Sequence, residues 1–567
     1  MKSEYRGIIA IGLSAAFFIL WFSVISPPKK PTAEEQAAVA AQATAAPTAV
    51  EAKQEEGTAP APIASPVSGA AADPQASLPV KNWTIKNGVV EVDLTSDGGV
   101  PTSWRVLGYR ETTEASSPPI DLVSQAGGLP PALALSFEGA NFAFPEKPRY
   151  ELVAADESHV VFRWRSAEAE VTKTITFKPE SYLLDVAVDV KSLSPKALNG
   201  RPVLSWSGMT LPPKNGGFFG FLKQPSPDNK VPVYYLDGKV HRQDNISKIE
   251  VKSEQAGQLL WAGLESRYFL GAVIPRVQGQ GLSVEYGAAD LSSQGPGVRG
   301  LWAGAALPAF TAPSGDIAAS LFSVYAGPKE ISQLKGVGVR LDEAIDYGWF
   351  TVVAIPILYC LKFFYGLIHN YGIAIILLTI FVKLLLHPIN IKSLKSMKAM
   401  QQLQPRLKEL QKKCAGDKQK LNQETMQLFR AHKVNPMGGC LPMLAQFPIY
   451  IALYKVLWNS IELYHAPFFW FYRDLSAPDP YLITPILLGV FMVAQQKLMP
   501  STSADPAQQK MMMIMPVMFS VFMLFLPVGL VLYILVNTVM SVTQQYMYNK
   551  GIRMRDLIRG RWKPATT

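Results

Sequence analysis

Long apolar runs dominate the chain after Leu341. They lie near 345–368, 371–391, 437–458, 481–499, 511–526 and 528–547. The hydrocarbon core of a bilayer is about 30 Å thick and takes about 20 apolar residues to cross as a helix. Only helices or closed barrels can satisfy their backbone in lipid, so these runs predict a helical membrane region. Because the preceding residues are much more polar, a mixed architecture follows.

The basic residues indicate which loops face the cytoplasm. Residues 388–435 carry eleven Lys and Arg against three Asp and Glu, and residues 550–567 carry six against one. Basic flanks of this kind are typical of cytoplasmic loops. If 345–368 and 371–391 both crossed the bilayer, the first basic segment would lie outside. We therefore predict that residues 341–370 form an amphipathic helix lying in the outer interface.

The N-terminal part predicts an anchor followed by a linker. Residues 1–26 read as an uncleaved transmembrane anchor with a cytoplasmic N-terminus, because their apolar run exceeds a signal-peptide core and Pro27 and Pro28 stand at the expected cleavage point. Residues 27–82 are rich in Ala, Pro, Gln and Glu and nearly free of aromatic residues. Such a composition cannot bury enough surface to offset ordering entropy, so it predicts a disordered linker.

Short alternating runs indicate that residues 83–335 form an all-β sandwich. The clearest runs are 89–94, 160–164, 171–177, 182–190 and 259–263. Period-two alternation bounded by Gly, Pro, Asn and Asp is typical of strands. Many such strands without helical periodicity predict a sandwich domain.

Residues 371–550 predict a core of five membrane spans. Within this core, residues 392–433 have a helical composition, with apolar residues such as Met400, Leu403 and Leu407 every three or four positions. This spacing predicts two amphipathic helices paired as a cytoplasmic hairpin. The basic residues 551–567 then form a cytoplasmic tail.

Lys383 is the only charged residue in the run 371–391. A lysine inside a span costs roughly 2.5–3.5 kcal/mol, so it indicates a functional site. About eight residues, or roughly 12 Å of helix, separate Lys383 from the cytoplasmic end of the run, and its side chain is directed toward the opposite, N-terminal end, so snorkelling is disfavoured. None of the other predicted spans contains Asp or Glu. A lone ammonium stays charged only where water reaches it, so we expect a hydrated cavity and a transient counter-charge.

Three C-terminal sequence motifs carry a family resemblance. They are NPMGGCLPMLAQFPIYIALY at 435–454, DPAQQKMMMIMP at 505–516 and LPVGLVLY at 526–533. These long, gapless motifs resemble the signatures of the YidC family of membrane protein insertases. The resemblance is close over residues 345–550, and the anchor, linker and β-rich domain match the layout of Gram-negative members.

The resemblance implies a fold and a function. The fold is a multi-pass α-helical membrane protein, with an N-terminal anchor plus a five-helix core and an all-β supersandwich periplasmic domain similar to sugar epimerases. The function is insertion and folding of integral membrane proteins in the bacterial inner membrane, alone or with the Sec translocon, through a hydrophilic groove with one basic residue. Both termini are expected in the cytoplasm. No enzymatic activity, cofactor or metal is expected.

Five residues are expected to line the substrate-binding groove. Lys383 matches the family's single basic position, where many members have arginine, and Thr379 matches a substrate-contacting position. Tyr533 matches the first of two adjacent tyrosines in familiar relatives, and Ile534 replaces the second. Gln446 is one of the uncharged polar residues available to Lys383 in the spans, together with Thr379, Thr484, Gln495, Gln496, Ser520, Asn537 and Ser541. The implied partners are nascent membrane proteins, the Sec translocon, ribosome and signal recognition pathway components, and the lipid bilayer, without DNA.

Two other classes of protein are alternatives. A secondary transporter could use Lys383 as an ion or substrate site, but the spans contain no carboxylate to couple a proton or sodium. A carbohydrate-modifying enzyme could use the β-rich domain. That domain has only His159 and His241 as histidines, without a convincing acid/base constellation around them.

Overall fold

The computed structural model describes most of the chain after residue 74. The described residues are 75–123, 128–211, 229–277, 279–414, 417–432, 434, 441–469, 471–499 and 506–550. The predicted anchor 1–26, most of the predicted linker 27–82 and the basic tail 551–567 lie outside them. The described residues form a β-sheet domain followed by a helical region.

The β domain consists of antiparallel strands in three sheets. The strands are β1 Asn82–Lys86, β2 Val90–Thr95, β3 Val100–Arg110, β4 Pro119–Asp121, β5 Ala134–Glu138, β6 Glu151–Ala155, β7 His159–Arg165, β8 Ala169–Phe177, β9 Leu183–Ser192, β10 Leu198–Thr210, β11 Val231–Leu236, β12 Lys239–Arg242, β13 Ser253–Ala256, β14 Leu259–Glu265, β15 Phe269–Pro275, β16 Ser283–Asp290, β17 Arg299–Ala306, β18 Phe310–Ala312 and β19 Ile317–Pro328. The 4-stranded sheet has the order β1-β2-β3-β4, and the 6-stranded sheet has the order β13-β16-β17-β10-β18, with β5 paired to β10. The 9-stranded sheet has the order β12-β11-β14-β15-β19-β9-β8-β7-β6.

Alternating burial explains why these residues form strands. In β8 and β9 nearly every second side chain is buried, as the period-two pattern predicted. The buried faces meet in an aromatic centre, where Trp104 packs edge-on against Trp206 at 5.5 Å between ring centroids. The prediction of a large β domain is confirmed.

The helical region begins at the end of β19. Its helices are α1 Ile331–Val337, α2 Thr351–Ile368, α3 Tyr371–Leu385, α4 His387–Lys413, α5 Lys418–Ala431, α6 Leu441–Asn459, α7 Ile483–Leu498, α8 Pro506–Met523 and α9 Val528–Asn549. Within the described residues, Gly348–Ile368 and Val528–Asn549 are each long and apolar enough to cross a membrane, and α3 with its bent continuation is a third candidate. Ile483–Leu498 and Met513–Met523 are shorter apolar helices.

The predicted span 371–391 is bent near its end. Helix α3 stops at Leu385, and the chain turns by 64° into α4. Pro388 lies in the first turn of α4. Proline lacks the N–H that would bond the carbonyl four residues earlier, and its ring clashes there, which breaks the helix. Lys383 therefore lies in the last turn of α3. The argument against snorkelling from the distance between Lys383 and the end of the run was wrong, because the helix does not continue straight to residue 391.

Helices α4 and α5 pack as a pair. Met400, Leu403 and Leu407 from α4 and Phe429 from α5 form a small buried cluster of their own. The charged residues of both helices whose side chains are described lie outside this cluster.

The β domain and the helices share one apolar cluster. It contains Tyr235 and Trp261 of the β domain together with Leu361, Leu378 and Tyr533 of the helices. Buried apolar contact on this scale fixes the helices against the β domain.

Candidate functional site around Lys383

The ammonium of Lys383 is held between α3 and α9. Only 8% of Lys383 is exposed. Its Nζ donates hydrogen bonds to Asn537 Oδ1 at 2.8 Å and to Ser541 Oγ at 2.6 Å. Asn537 and Ser541 are four residues apart on α9, so they share one helix face. Both acceptors are uncharged.

Asn537 connects Lys383 to helix α6. Its Oδ1 also accepts a hydrogen bond from Gln446 Nε2 at 3.3 Å, and its Nδ2 donates to the Tyr450 hydroxyl at 2.5 Å. Gln446 Nε2 lies 3.1 Å from the Tyr533 hydroxyl, which accepts from it. The structure thus joins three predicted site residues, Lys383, Gln446 and Tyr533, in one polar network.

Two predicted site residues lie outside this network. The Thr379 hydroxyl donates to the Ile375 carbonyl of its own helix at 2.7 Å, and the residue is 1% exposed. Ile534 is buried in the apolar cluster shared with the β domain. Both side chains contribute to packing beside the network in this conformation, and their contact with a substrate stays a prediction.

The network contains a positive charge without a partner among the described carboxylates. The hydrogen bonds of Lys383 Nζ go to an amide and a hydroxyl, and Asp and Glu are absent from 437–458, 481–499, 511–526 and 528–547. An ammonium has three N–H donors. The two described bonds leave capacity for an anionic group brought by another molecule.

Tight packing closes the end of the helices that faces the β domain. Asn370 caps α3 by accepting from Ile373 N, and its Nδ2 donates to the Phe468 carbonyl at 2.8 Å. A Cβ at Gly372 would lie 1.9 Å from Phe468 Cδ2, which shows how closely the loop approaches α3. At the start of α9, Gly529 N donates to the Leu475 carbonyl at 2.9 Å. These contacts separate the Lys383 network from the β-domain side.

One group of carboxylates among the described residues has ligand atoms close enough for a metal ion. Glu138, Glu254 and Glu285 of the β domain offer oxygen atoms within 4.8 Å of one another. Lys252 pairs with Glu138 and Glu285, and Arg201 pairs with Glu254. Burial raises the pKa of Glu285 to about 7. Because Lys252 and Arg201 already pair with these carboxylates, the cluster is best described as an ion-pair network.

Asn537 and Ser541 were expected among the uncharged polar neighbours available to Lys383 but were not assigned to the groove, and Tyr450 was not expected there. The usable pattern was spacing: Tyr533, Asn537 and Ser541 recur every four residues on α9, and Gln446 and Tyr450 do so on α6. Polar residues at this spacing form a stripe on one helix face. Such stripes on neighbouring spans predict a shared polar interior.

Comparison with known proteins covers both parts of the chain. Residues 363–555 match the family described as 60Kd inner membrane protein, and residues 82–360 match the YidC periplasmic domain. A membrane protein insertase YidC from Syntrophus aciditrophicus is 37% identical over 570 residues, covering 96% of this chain and 99% of that protein. The membrane protein insertase YidC from Geobacter metallireducens is 35% identical over 565 residues, covering 97% of this chain and 99% of that protein.

Solved structures give more distant likenesses. An active YidC insertase with its first transmembrane domain resolved is 18% identical, with a TM-score of 0.35, over 82% of this chain and 92% of that one. A galactose mutarotase related enzyme from Lactobacillus acidophilus is 11% identical, with a TM-score of 0.29, over 43% of this chain and 97% of that one. Likenesses at these TM-scores carry no argument about function.

The family therefore rests on the sequence matches, which span both the β domain and the helices. They agree with the observed order of a β-sheet domain followed by apolar helices. The chain belongs to the YidC family and is a non-enzymatic membrane protein insertase of the inner membrane, with a periplasmic β domain.

Proposed function

We propose that the network around Lys383 receives the hydrophilic tail of a substrate protein during insertion. One observation supports this proposal. The ammonium of Lys383 is buried, and among the described residues it donates hydrogen bonds only to neutral acceptors. An acidic residue in the tail would supply the missing counter-charge. Attraction between opposite charges is much stronger in a medium of reduced dielectric than in bulk water.

The depth of the network fits a stopping point for the tail. Lys383 lies twelve residues after Tyr371, the first residue of α3, which corresponds to roughly 18 Å along a helix. A hydrocarbon core is about 30 Å thick. A tail entering from the cytoplasm would reach Lys383 before it met the packed layer around Gly372 and Phe468.

The apolar helix of the substrate would leave toward lipid along the first and last core spans. Phe381, Leu384 and Leu385 of α3 are 47%, 59% and 66% exposed beside Lys383. Exposed apolar surface next to a polar network allows a substrate helix and its tail to be held at the same time. The membrane-spanning part would then move sideways while the tail crosses.

We propose that α2 lies in the outer interface. If α2 and α3 both crossed the bilayer, the basic segment 388–435 would lie outside. Lys362, well inside α2, pairs with Glu330 at the end of the β domain at 3.1 Å and with Glu462 at 2.7 Å. If α2 crossed the bilayer, Lys362 would lie deep in the hydrocarbon core. Pairing with groups on the periplasmic side supports a helix that lies along the surface.

The remaining topology follows from α3 and α9. Both helices begin beside the loop that contains Phe468 and Leu475, and this loop contacts the β domain through Tyr464 and Tyr268. We propose that both helices run toward the cytoplasm, so that the hairpin of α4 and α5 and the C-terminus lie inside. Residues 1–26 would form an anchor with a cytoplasmic N-terminus, followed by the linker 27–82.

We also propose where the translating machinery docks. The basic residues of 388–435 would attract acidic surfaces such as ribosomal RNA or components of the signal recognition pathway. Delivery to the Sec translocon would involve the lipid-facing sides of the core spans. A measurable test is copurification of ribosomes or translocon with the full chain, compared with a variant whose Lys412 and Lys413 are replaced by Gln.

Charge reversal at Lys383 tests the groove. Lys383→Glu should strongly reduce insertion of substrates with acidic tails, and Lys383→Arg should retain it. Site-directed crosslinking from Thr379, Tyr533 and Ile534 during insertion should capture the substrate. Unchanged insertion of acidic-tailed substrates by Lys383→Glu would disprove the electrostatic part.

Family membership leaves the transporter and carbohydrate-enzyme alternatives without support.

A further inference from the structure

The orientation of the Asn537 amide is fixed by its neighbours. Its Oδ1 faces two donors, Lys383 Nζ at 2.8 Å and Gln446 Nε2 at 3.3 Å, and its Nδ2 faces the Tyr450 hydroxyl at 2.5 Å. The opposite orientation would place the amide N–H groups against the lysine ammonium. Gln446 and Tyr450 therefore hold an oxygen, and not a nitrogen, toward Lys383.

Ser541 completes the same arrangement one helical turn later. Its hydroxyl donates to the Asn537 carbonyl at 2.8 Å, which uses its single hydrogen. Its oxygen can then act only as the acceptor for Lys383 Nζ at 2.6 Å. Two fixed neutral acceptors thus position the ammonium without lowering its net charge.

We infer that Asn537, supported by Ser541, is a positioning residue that sets the preference of the groove for acidic substrate tails. This inference rests on the proposed function of the Lys383 network. The amide holds the ammonium in place and leaves its charge available to a substrate carboxylate. A carboxylate at the same position would hold the ammonium equally well but would neutralise it.

The chemistry of aspartate makes this distinction testable. Aspartate has nearly the shape of asparagine and can accept from Lys383 and Gln446 as Asn537 does. The Tyr450 hydroxyl can rotate to donate to the second carboxylate oxygen, so each hydrogen-bonding position stays occupied. What changes is that Lys383 gains a permanent ion-pair partner.

The experiment compares two substrates in proteoliposomes that contain the full chain. One is a single-span membrane protein with Asp residues in its translocated tail, and the other has Asn in place of each Asp. The readout is the ratio of protease-protected acidic tail to protease-protected neutral tail. Asn537→Asp should lower this ratio about tenfold, equivalent to about 1.4 kcal/mol.

Ser541→Asp provides a second variant with the same expected result, which carries the test if Asn537→Asp is not recovered as folded protein. Thr543→Asp is the matched control. It adds the same charge to α9 at an exposed residue whose hydroxyl donates to the Val539 carbonyl of its own helix. This control should leave the ratio unchanged.

The outcomes separate this inference from the proposed function. If Lys383→Gln lowers the ratio but Asn537→Asp and Ser541→Asp do not, the positioning role is wrong and the groove proposal stands. If Lys383→Gln leaves the ratio unchanged, both proposals fail. An equal fall of acidic and neutral insertion in Asn537→Asp, or a fall of the ratio in Thr543→Asp, would also overturn the positioning role.

Discussion

The guanidinium carbon of Arg267 lies 3.7 Å from the ring centroid of Trp458. Arg267 Nε also donates a hydrogen bond to the Trp458 carbonyl at 2.8 Å. Arg267 belongs to the turn between β14 and β15, and Trp458 is in the last turn of α6. This pair therefore fastens the periplasmic domain to the outer end of a core helix.

Removing this contact should loosen the attachment of the β domain. A double-mutant cycle of Arg267→Ala and Trp458→Ala should give a coupling free energy of about 1–2 kcal/mol, because a stacked cation that is shielded from water interacts more strongly than an exposed one. Denaturant unfolding of the purified chain in detergent measures it. Arg165→Ala, which removes an exposed arginine of β7, should change the free energy of unfolding by less than about 0.5 kcal/mol. A coupling energy near zero would show that the pair is incidental.

Enlarging Gly372 should disrupt the outer end of the groove. A Cβ there would lie 1.9 Å from Phe468 Cδ2 and 2.4 Å from Phe468 Cγ. Overpacking of this kind costs about 1–3 kcal/mol, so Gly372→Ala should lower the thermal unfolding midpoint and reduce insertion. Gly366→Ala is the matched control, because no neighbouring atom lies within 4 Å of its added Cβ. Equal thermal midpoints for the two variants would contradict the close packing.

Lys173 should make the stability of the chain depend on pH. Its buried Nζ donates to the Gly99 carbonyl at 2.8 Å and to the Leu133 carbonyl at 2.6 Å, and burial lowers its pKa to about 7. An unfolded lysine has a pKa of about 10.4. Between these values the unfolded chain binds a proton that the folded chain does not, so this residue's contribution to the free energy of unfolding rises with pH.

Lys173→Met should remove that pH dependence. From about pH 7 to pH 10 its free energy of unfolding should rise less steeply than that of the wild type, by up to about 1.4 kcal/mol per pH unit. Unfolding curves at several pH values measure the two slopes. Lys191→Met, at an exposed lysine of the adjacent strand β9, should keep the wild-type slope. Parallel curves for Lys173→Met and wild type would mean that buried Lys173 keeps its proton.

Asp479 should stabilise the loop before α7. Its carboxylate accepts hydrogen bonds from Thr484 N and Thr484 Oγ1 at 2.7 Å, from Tyr481 N at 2.9 Å and from the Tyr472 hydroxyl at 3.0 Å. Burial acts to raise the pKa of Asp479, but the hydrogen bonds from Thr484 outweigh it and hold this pKa below its ordinary value. The stabilisation is thus present at neutral pH and is lost as pH falls through the folded pKa.

Asp479→Ala should therefore destabilise the chain by about 2–4 kcal/mol at neutral pH, since it leaves several donors without a partner. The difference from wild type should shrink in acid. Thermal unfolding at neutral and acidic pH measures both effects. Asp474→Ala, in the same loop but half-buried, should cost less. A loss that is the same at both pH values would argue against a role for the charge.

The β domain was predictable because its physical pattern is local. Alternation in the runs 171–177 and 182–190 predicted strands that the structure places at Ala169–Phe177 and Leu183–Ser192. Each strand needs only its own sequence to specify which side is buried. The pairing of strands far apart in the chain, such as β10 with β17, was not predictable, since it depends on contacts over about a hundred residues.

The candidate site was only partly predictable. Lys383 stood out because a charge in an apolar run is costly. Asn537 was only one of several uncharged polar residues available to Lys383, and Tyr450 was not among them, because such residues are common in spans and their importance depends on how α3, α6 and α9 pack. The bend after Leu385 was also missed: Pro388 was visible, but the apolar run continued past it and suggested an uninterrupted span.

The apolar cluster shared by the β domain and the helices imposes an order on the assembly of the protein itself. Trp261 and Tyr235 precede Leu378 and Tyr533 in the chain, and all four are buried together. Ribosomes make the N-terminal part first. The strands must therefore be exported and folded in the periplasm before the later helices can bury their outer ends. The insertase can complete its own fold only after its β domain has crossed the membrane.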